Sequence, residues 1–358
     1  MSTPRVLHLI DHNGLGGAQR LVAGILKKYP QQAVIPLRIK QPGLFAPAAW
    51  QRDALWRTTF LSNLATIGQI RYFLEKQKVE ILHCHLQASW MTGLYLRAFC
   101  ERKGIALLFH EHNPYVFHSS VYRRFVKLAG KAGKIIAVSE HIRQRLMACG
   151  VPAEQVYLLP NFVDIQDFAM PSSTTADSFF AKGENRILGF SGRLVKEKGW
   201  IYALQVLEAL GDIPLELWIA GRGKDENKAR HWVKVHGLAE RARFLGFVQE
   251  MGAFYRALDL LIHPALEEPF GLAPLEAQAC GVAVVSFQFQ GSAELFGENS
   301  AWLCPPANID ALVDAIRSIL GDENLRRDLI SRGYINIRRF SPTNFYIGLE
   351  RIYRDVLG

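Results

Sequence analysis

Glu268-Pro269-Phe270-Gly271-Leu272-Ala273-Pro274-Leu275-Glu276, continuing through Ala277-Gln278-Ala279-Cys280-Gly281 into the apolar run Val282 to Phe287, is the stretch from which the fold is read. Val282-Ala283-Val284-Val285 is short and mostly β-branched, which suits a buried strand, and Gly281 supplies the helix stop in front of it. The segment before Gly281 is then a helix, with Glu268 in the loop leading into it. At that helix start the amides of Phe270, Gly271 and Leu272 lack intrahelical acceptors, and together with the helix dipole they favour an anion. Glu276 lies little more than a turn inside. Because helical Cα–Cβ bonds tilt toward the N-terminus, its carboxylate leans back over the same opening. Donors and two acids at one helix end suit a ligand with both phosphate and hydroxyls, such as a sugar nucleotide. The plainer reading is that the acids are solvated or offset the helix dipole.

The same alternation of short apolar runs with helical patterns recurs along the chain and points to α/β architecture with parallel sheets. In the first half, strands are expected at Arg5–Ile10, Ala33–Ile39, Ile81–His83, Ala106–Phe109 and Lys134–Val138. The polar stretch from Met170 to Asp177 is the best linker, after which the pattern restarts with strands at Ile187–Ser191, Leu215–Ala220, Val282–Phe287 and Ala301–Leu303. Two Rossmann-like domains in tandem are the simplest account, with ligands at the carboxyl ends of the strands. The expected boundaries are 1–168 for the first domain, 169–184 for the linker and 185–340 for the second. Ser341 and Pro342 begin a helix, 341–358, whose apolar face carries Phe345, Leu349, Ile352, Tyr353 and Val356.

At 358 residues and 49 % hydrophobic content, the chain is long enough for two cores. Its longest apolar runs are strand-length, and the start is too short for a signal-peptide core, which places the protein in the cytosol. Five scattered cysteines without a C-x-x-C pair argue for reduced thiols. Cys84 sits between His83 and His85, but on a strand it points away from both, which opposes a zinc site. The net charge of +9 is uneven: residues 1–165 hold 21 Lys and Arg against 9 Asp and Glu, the remainder 21 against 24. Within the basic half, Arg123, Lys127, Lys131 and Lys134 fall on one helical stripe and Val121, Phe125, Leu128 and Ala132 on the opposing one. That helix is either an ordinary surface helix with its apolar side on the core or a contact for anionic lipid headgroups at the inner membrane face or for a phosphorylated acceptor. No nucleic-acid reading motif accompanies the charge.

Ser191-Gly192-Arg193-Leu194-Val195-Lys196-Glu197-Lys198-Gly199 follows a strand and precedes a helix, so Arg193 and Lys198 could neutralise a diphosphate without metal. No Asp-x-Asp lies near a strand end, and neither a metal nor another cofactor is expected. Gly14-Leu15-Gly16-Gly17-Ala18-Gln19 fails as a dinucleotide fingerprint, because Gln19 stands at the third glycine and no acid follows in Val34–Lys40.

The string Glu-Pro-Phe-Gly-Leu-x-x-Leu-Glu from Glu268 to Glu276 resembles the E-x7-E motif of retaining glycosyltransferases of the bacterial group-1 type, glycosyltransferase family 4. Arg193 and Lys198 match that family's G-R-x-x-x-x-K-G element, and Gly16 and Gly17 its Gly-Gly-Ala-Glu loop, with Gln19 in place of the acid. His112 within His110-Glu111-His112-Asn113 matches Thr-x-His, and His83 and His85 match a His-x-His strand end, read as cleft-lining or structural. Weaker matches at Gly221, Phe247 and Val248 fall in the family's order. Departures include Phe162 for the usual Gly and Ala265 for Ser.

The resemblance implies the GT-B fold: two Rossmann-like domains facing across a cleft, with the C-terminal helix returning to the first. It implies transfer of a hexose-type sugar from a nucleoside diphosphate, UDP favoured over GDP or ADP, to a glycan or lipid-linked acceptor in cell-surface polysaccharide or lipopolysaccharide synthesis. Glu268, His112, Arg193 and Lys198 become the expected catalytic residues. Donor contacts are expected from Gly16, Gly17, Arg193, Lys198, Gly221, Phe247, Val248, Glu268, Phe270, Gly271, Leu272 and Glu276. A same-fold phosphorylase or synthase, an NAD-dependent oxidoreductase and a non-catalytic glycan-binding protein are the competing readings.

Overall fold

The computed structural model describes residues 4–14, 16–38, 60–112, 119–169, 180 and 183–358. The chain divides into two compact units, Met1–Asn161 with Phe345–Gly358, and Phe162–Asn344. The first contains a six-stranded sheet of β1 (Val6–Ile10), β2 (Ala33–Pro36), β3 (Ile81–His85), β4 (Ala106–Glu111), β5 (Lys134–Ala137) and β6 (Val156–Leu158), in the order β2-β1-β3-β4-β5-β6. In the second, β7 (Arg186–Ser191), β8 (Leu215–Ala220), β9 (Ala242–Gly246), β10 (Leu260–His263), β11 (Ala283–Phe287) and β12 (Trp302–Cys304) lie in the order β12-β11-β10-β7-β8-β9. Every described strand pair is parallel. This is the two-domain α/β architecture expected from the sequence.

Helices cover both faces of a parallel sheet, so its strands are buried along their length instead of alternating. All five residues of β1, β3 and β11 are buried. Three strands went unread. β6 is only three residues long, β9 is half-buried along most of its length, and β10 is a four-residue run closed by His263-Pro264. Yet β10 is central, pairing with both β7 and β11.

The linker expected at 169–184 lies largely outside the described residues, as does Ile39. Residues ahead of it, Phe162–Ala169, belong with the second unit, where the Phe168 carbonyl accepts from Arg256 at 2.6 Å. The helix Pro342–Leu357 buries Phe345, Leu349, Ile352 and Tyr353, and its residues from Phe345 onward complete the first unit. Tyr346 donates to the Gly24 carbonyl at 2.9 Å, and Tyr29 donates to Glu350 at 2.6 Å.

The basic helix, Ser120–Ala132, buries a different face from the one expected. Tyr122, Val126, Ala129 and Gly130 point inward, whereas Val121 is 75 % and Leu128 54 % exposed. The four inward residues share one arc at 100° per residue, and the aromatic Tyr122 anchors it by donating to buried Glu111. Val121 and Leu128 therefore lie beside exposed Arg124 and Lys131 on the outer face. Among the described residues no helix is long and apolar enough to cross a membrane.

Candidate functional site

Strand order places the site. From β7 the chain moves outward through β8 to β9, then returns to β10 on the other side of β7. The loops after β7 and β10 therefore diverge, leaving a crevice at the carboxyl ends of these neighbours, where open α/β sheets bind ligands. Ser191-Gly192-Arg193 and the turn Lys196–Lys198 follow β7, while Pro264 to Gly271 follow β10. Gly199 brings the two loops together: its φ is 71°, and a Cβ there would lie 1.8 Å from the Pro264 carbonyl oxygen.

That approach lets the Lys198 ammonium donate to the Glu268 carboxylate across the crevice. The side chains are 15 % and 8 % exposed, so this is a buried ion pair. Burial pushes the Glu268 carboxyl up, but Lys198, His263 and Arg193 outweigh it and hold the group below its usual range. His263, at the end of β10, places Nε2 3.6 Å from the same carboxylate oxygen. Burial, opposed by Glu268 and helped by Lys198, lowers His263 to about 4, so the ring is neutral. Arg193 is exposed at the mouth.

Helix Leu272–Ala279 starts where the sequence reading put it, with Gly271 as an N-cap at φ 104° and no side-chain cap. A Cβ on Gly271 would lie 2.6 Å from Leu295 Cδ2, so only glycine fits. Phe270 is 7 % exposed and meets Phe340 edge to face at 5.4 Å. Its ring therefore anchors the loop. Glu276 is 6 % exposed and accepts from the Tyr255 hydroxyl at 2.8 Å; the same phenol oxygen lies 3.2 Å from Ser191 Oγ. Gly221 N donates to the Gly246 carbonyl at 2.7 Å at the end of β8, Phe247 is 41 % exposed, and Val248 is buried. The second unit thus gathers Lys198, Glu268, Gly271, Leu272 and Glu276 about one sheet end. Tyr255 and His263 were not read from sequence. The His-Pro pair closing an apolar run was the one signal for His263.

The remaining expected residues lie in the first unit. Gly16 caps helix Gly17–Lys28, and Gln19, 2 % exposed, turns back to donate to the His12 carbonyl at 3.1 Å. Its amide holds the turn. At the analogous divergence between β1 and β3, Asp11 accepts from the amides of Ala88 and Ser89 at 3.0 and 2.8 Å, and Leu86 adopts φ 71°, a strained value for leucine. His112 follows β4, and burial lowers it to about 3. It belongs to a group with His8, His83, His85 and His110, all buried in the sheet. Cys84 faces the other way, its Sγ turned to Gly93, and burial pushes its thiol well up. Nitrogens of His8, His83 and His85 lie within 4.8 Å of one another, as do those of His85, His110 and His112, so these are the described residues that could hold a metal. Leu15 and Asn113 fall outside the described residues.

Comparison with known proteins accords with this geometry. The family profile "Glycosyl transferases group 1" matches residues 173–335 and "Glycosyltransferase Family 4" matches 16–167. A phosphatidyl-myo-inositol mannosyltransferase of Mycolicibacterium smegmatis is 28 % identical over 308 residues, covering 82 % of this chain and 76 % of that protein. The lipopolysaccharide core biosynthesis glycosyltransferase LpsE of Rhizobium meliloti is 23 % identical, covering 89 % and 90 %. The crystal structure of Anabaena HepE in complex with UDP-glucose superposes with a TM-score of 0.80 at 21 % identity, covering 98 % and 99 % of the two chains.

Proposed function

Since this chain belongs to the glycosyltransferases of group 1 and family 4, we propose that its second unit binds a nucleoside diphosphate sugar at the β7/β10 crevice. In this reading a hexose is transferred, with retention, to a glycan or lipid-linked acceptor of cell-surface polysaccharide or lipopolysaccharide synthesis. The buried Lys198–Glu268 pair is the observation that carries the reading, since it sets a cation and an acid on two loops at a strand-order divergence. A lysine ammonium has three donors, so Lys198 can hold Glu268 and still donate to a phosphate oxygen. Arg193 would share the diphosphate charge, and with the Gly271 and Leu272 amides would stabilise the leaving group as its charge grows. These donors would act without a metal. Glu268 would hold the donor sugar, Glu276, oriented by Tyr255, the ribose, and Gly221, Phe247 and Val248 the base. His112, Gly16 and Gly17 are further proposed contacts of the donor sugar and phosphate.

HepE bound to UDP-glucose supports UDP as the nucleotide of the donor, and the mannosyltransferase and LpsE support a lipid-linked acceptor. A thermal-shift panel of UDP, GDP, ADP and their sugars tests the donor. Release of nucleoside diphosphate on adding acceptor, abolished in Glu268→Gln and Arg193→Ala with the fold intact, tests the chemistry. Near-normal turnover in both variants rejects the assignment.

A further inference from the structure

Three hydrogen-bonding contacts join three buried side chains of the first unit and half-buried His112 in a row. Gln32 Oε1 lies 2.9 Å from His8 Nε2, His8 Nδ1 lies 3.0 Å from His85 Nε2, and His85 Nδ1 lies 3.3 Å from His112 Nε2. The amide oxygen can only accept, so His8 donates from Nε2. Burial keeps each ring neutral, with His8 near 4, His112 near 3 and His85 well below its ordinary value, so each carries one N–H. His8 Nδ1 must then accept, and His85 donates to it from Nε2. His85 Nδ1 must accept in turn, and His112 donates to it from Nε2.

We propose that Gln32, His8 and His85 are positioning residues that fix His112 as its Nε2–H tautomer, so that its Nδ1 lone pair is offered as acceptor to a hydroxyl of the donor sugar or the glycan. No proton moves along the row; its polarity is set by the Gln32 oxygen. This rests on His112 being beside the reacting sugar, as proposed above. Ring geometry favours a row over a cation cage. His83 and His85 are tilted at 4.2 Å and 32°, His110 and His112 stack at 4.1 Å and 29°, and His8 Nδ1 and His85 Nε2 are directed at each other.

Long-range proton–nitrogen correlation spectra of the 15N-labelled full chain at pH 7.5 read the tautomers directly, without reference to turnover. His8, His85 and His112 are each expected to show a protonated Nε2 and a bare Nδ1. His8→Asn sets an amide oxygen near the Nδ1 position and should leave His85 and His112 unchanged. His8→Leu removes the acceptor and should send both into mixed tautomers, lowering kcat on the order of tenfold, as for one lost oriented hydrogen bond, while KM for the donor stays the same. Gln32→Leu removes the far acceptor and gives the same reading should the His8 variants fold poorly. An Nδ1–H on His112 in the unsubstituted protein, or unshifted tautomers in folded His8→Leu, overturns the proposal. Tautomers as expected with unchanged turnover keep the row and remove His112 from the reacting sugar.

Discussion

Replacing Lys198 with methionine keeps the length of the side chain and removes its charge. The Glu268 carboxylate, 8 % exposed, then stays buried without its nearest cation. Removing one partner of a buried pair costs about 3–5 kcal/mol. Neutral His263 at 3.6 Å and exposed Arg193 remain, so the lower end, about 3 kcal/mol, is expected. With a urea slope of about 2.5 kcal/mol per molar for a unit this size, the midpoint of the second unit should fall by roughly 1.2 M at pH 7.5. The double variant Lys198→Met/Glu268→Gln has no buried charge to strand and should recover most of that loss while remaining inactive. Acid should narrow the gap between Lys198→Met and the unsubstituted protein. Glu268 sits below its ordinary value only in the intact pair, so the stability it contributes is lost as pH falls through that lowered value. A shift under about 0.3 M for Lys198→Met, or a double variant less stable than the single, would refute the reasoning, since the pair would then be doing no more than a surface contact does.

Three further outcomes follow from described geometry. Buried His8 and His263 near 4 and His112 near 3 bind fewer protons folded than unfolded between those values and 6.5. Stability should therefore fall as pH drops from 6.5, by up to about 1.4 kcal/mol per histidine per pH unit, and a flat urea midpoint from pH 7 to 5 would contradict the burial. Gly271→Ala places a Cβ at φ 104° and 2.6 Å from Leu295 Cδ2; it should lower Tm by about 3–6 °C, from roughly 1–2 kcal/mol of strain, and weaken UDP-sugar binding, whereas an unchanged Tm removes the argument for glycine. Exposed Val121 and Leu128 flanked by Arg124 and Lys131 should carry the protein with anionic vesicles in low-salt flotation, and Leu128→Glu should reduce this; absence of binding at low salt ends the membrane reading.

Much of the second unit was legible because its signals are local. The β-branched run through Phe287, Gly281 before it and Gly271 as helix start are near neighbours whose backbone demands show in single residues. Arg193 and Lys198 were read the same way, from a strand followed by glycine and cations. What escaped is nonlocal. Tyr255 reaches Glu276 from a different helix, and Lys198 meets Glu268 only because β10 inserts beside β7. The histidine row is the extreme case: His112 was read as catalytic and His85 as cleft-lining or structural, each by itself, and only strand register, with His8 on β1 beside β3 and β3 beside β4, makes them neighbours. The Ser120–Ala132 helix failed for a subtler reason. Hydrophobic character suggested Val121 and Leu128 as the inward stripe, whereas the position of Tyr122 and the small Ala129 and Gly130 set which face could approach the sheet.

The return of Phe345–Gly358 to the first unit bears on the order of events at the ribosome. Tyr353, fully buried, lies 3.0 Å through its hydroxyl from His83 Nδ1 in the core of that unit, and it is made only after all of Phe162–Asn344. At roughly 5–20 residues per second, translation of those residues takes on the order of 10–35 seconds. Throughout that interval the nascent first unit holds its histidine-bearing strands without the helix that covers them, and at its end the second unit is complete while the first still waits for Phe345–Gly358. The half of the chain translated earlier is thus the half that matures later, and its folding is timed by the synthesis of its neighbour.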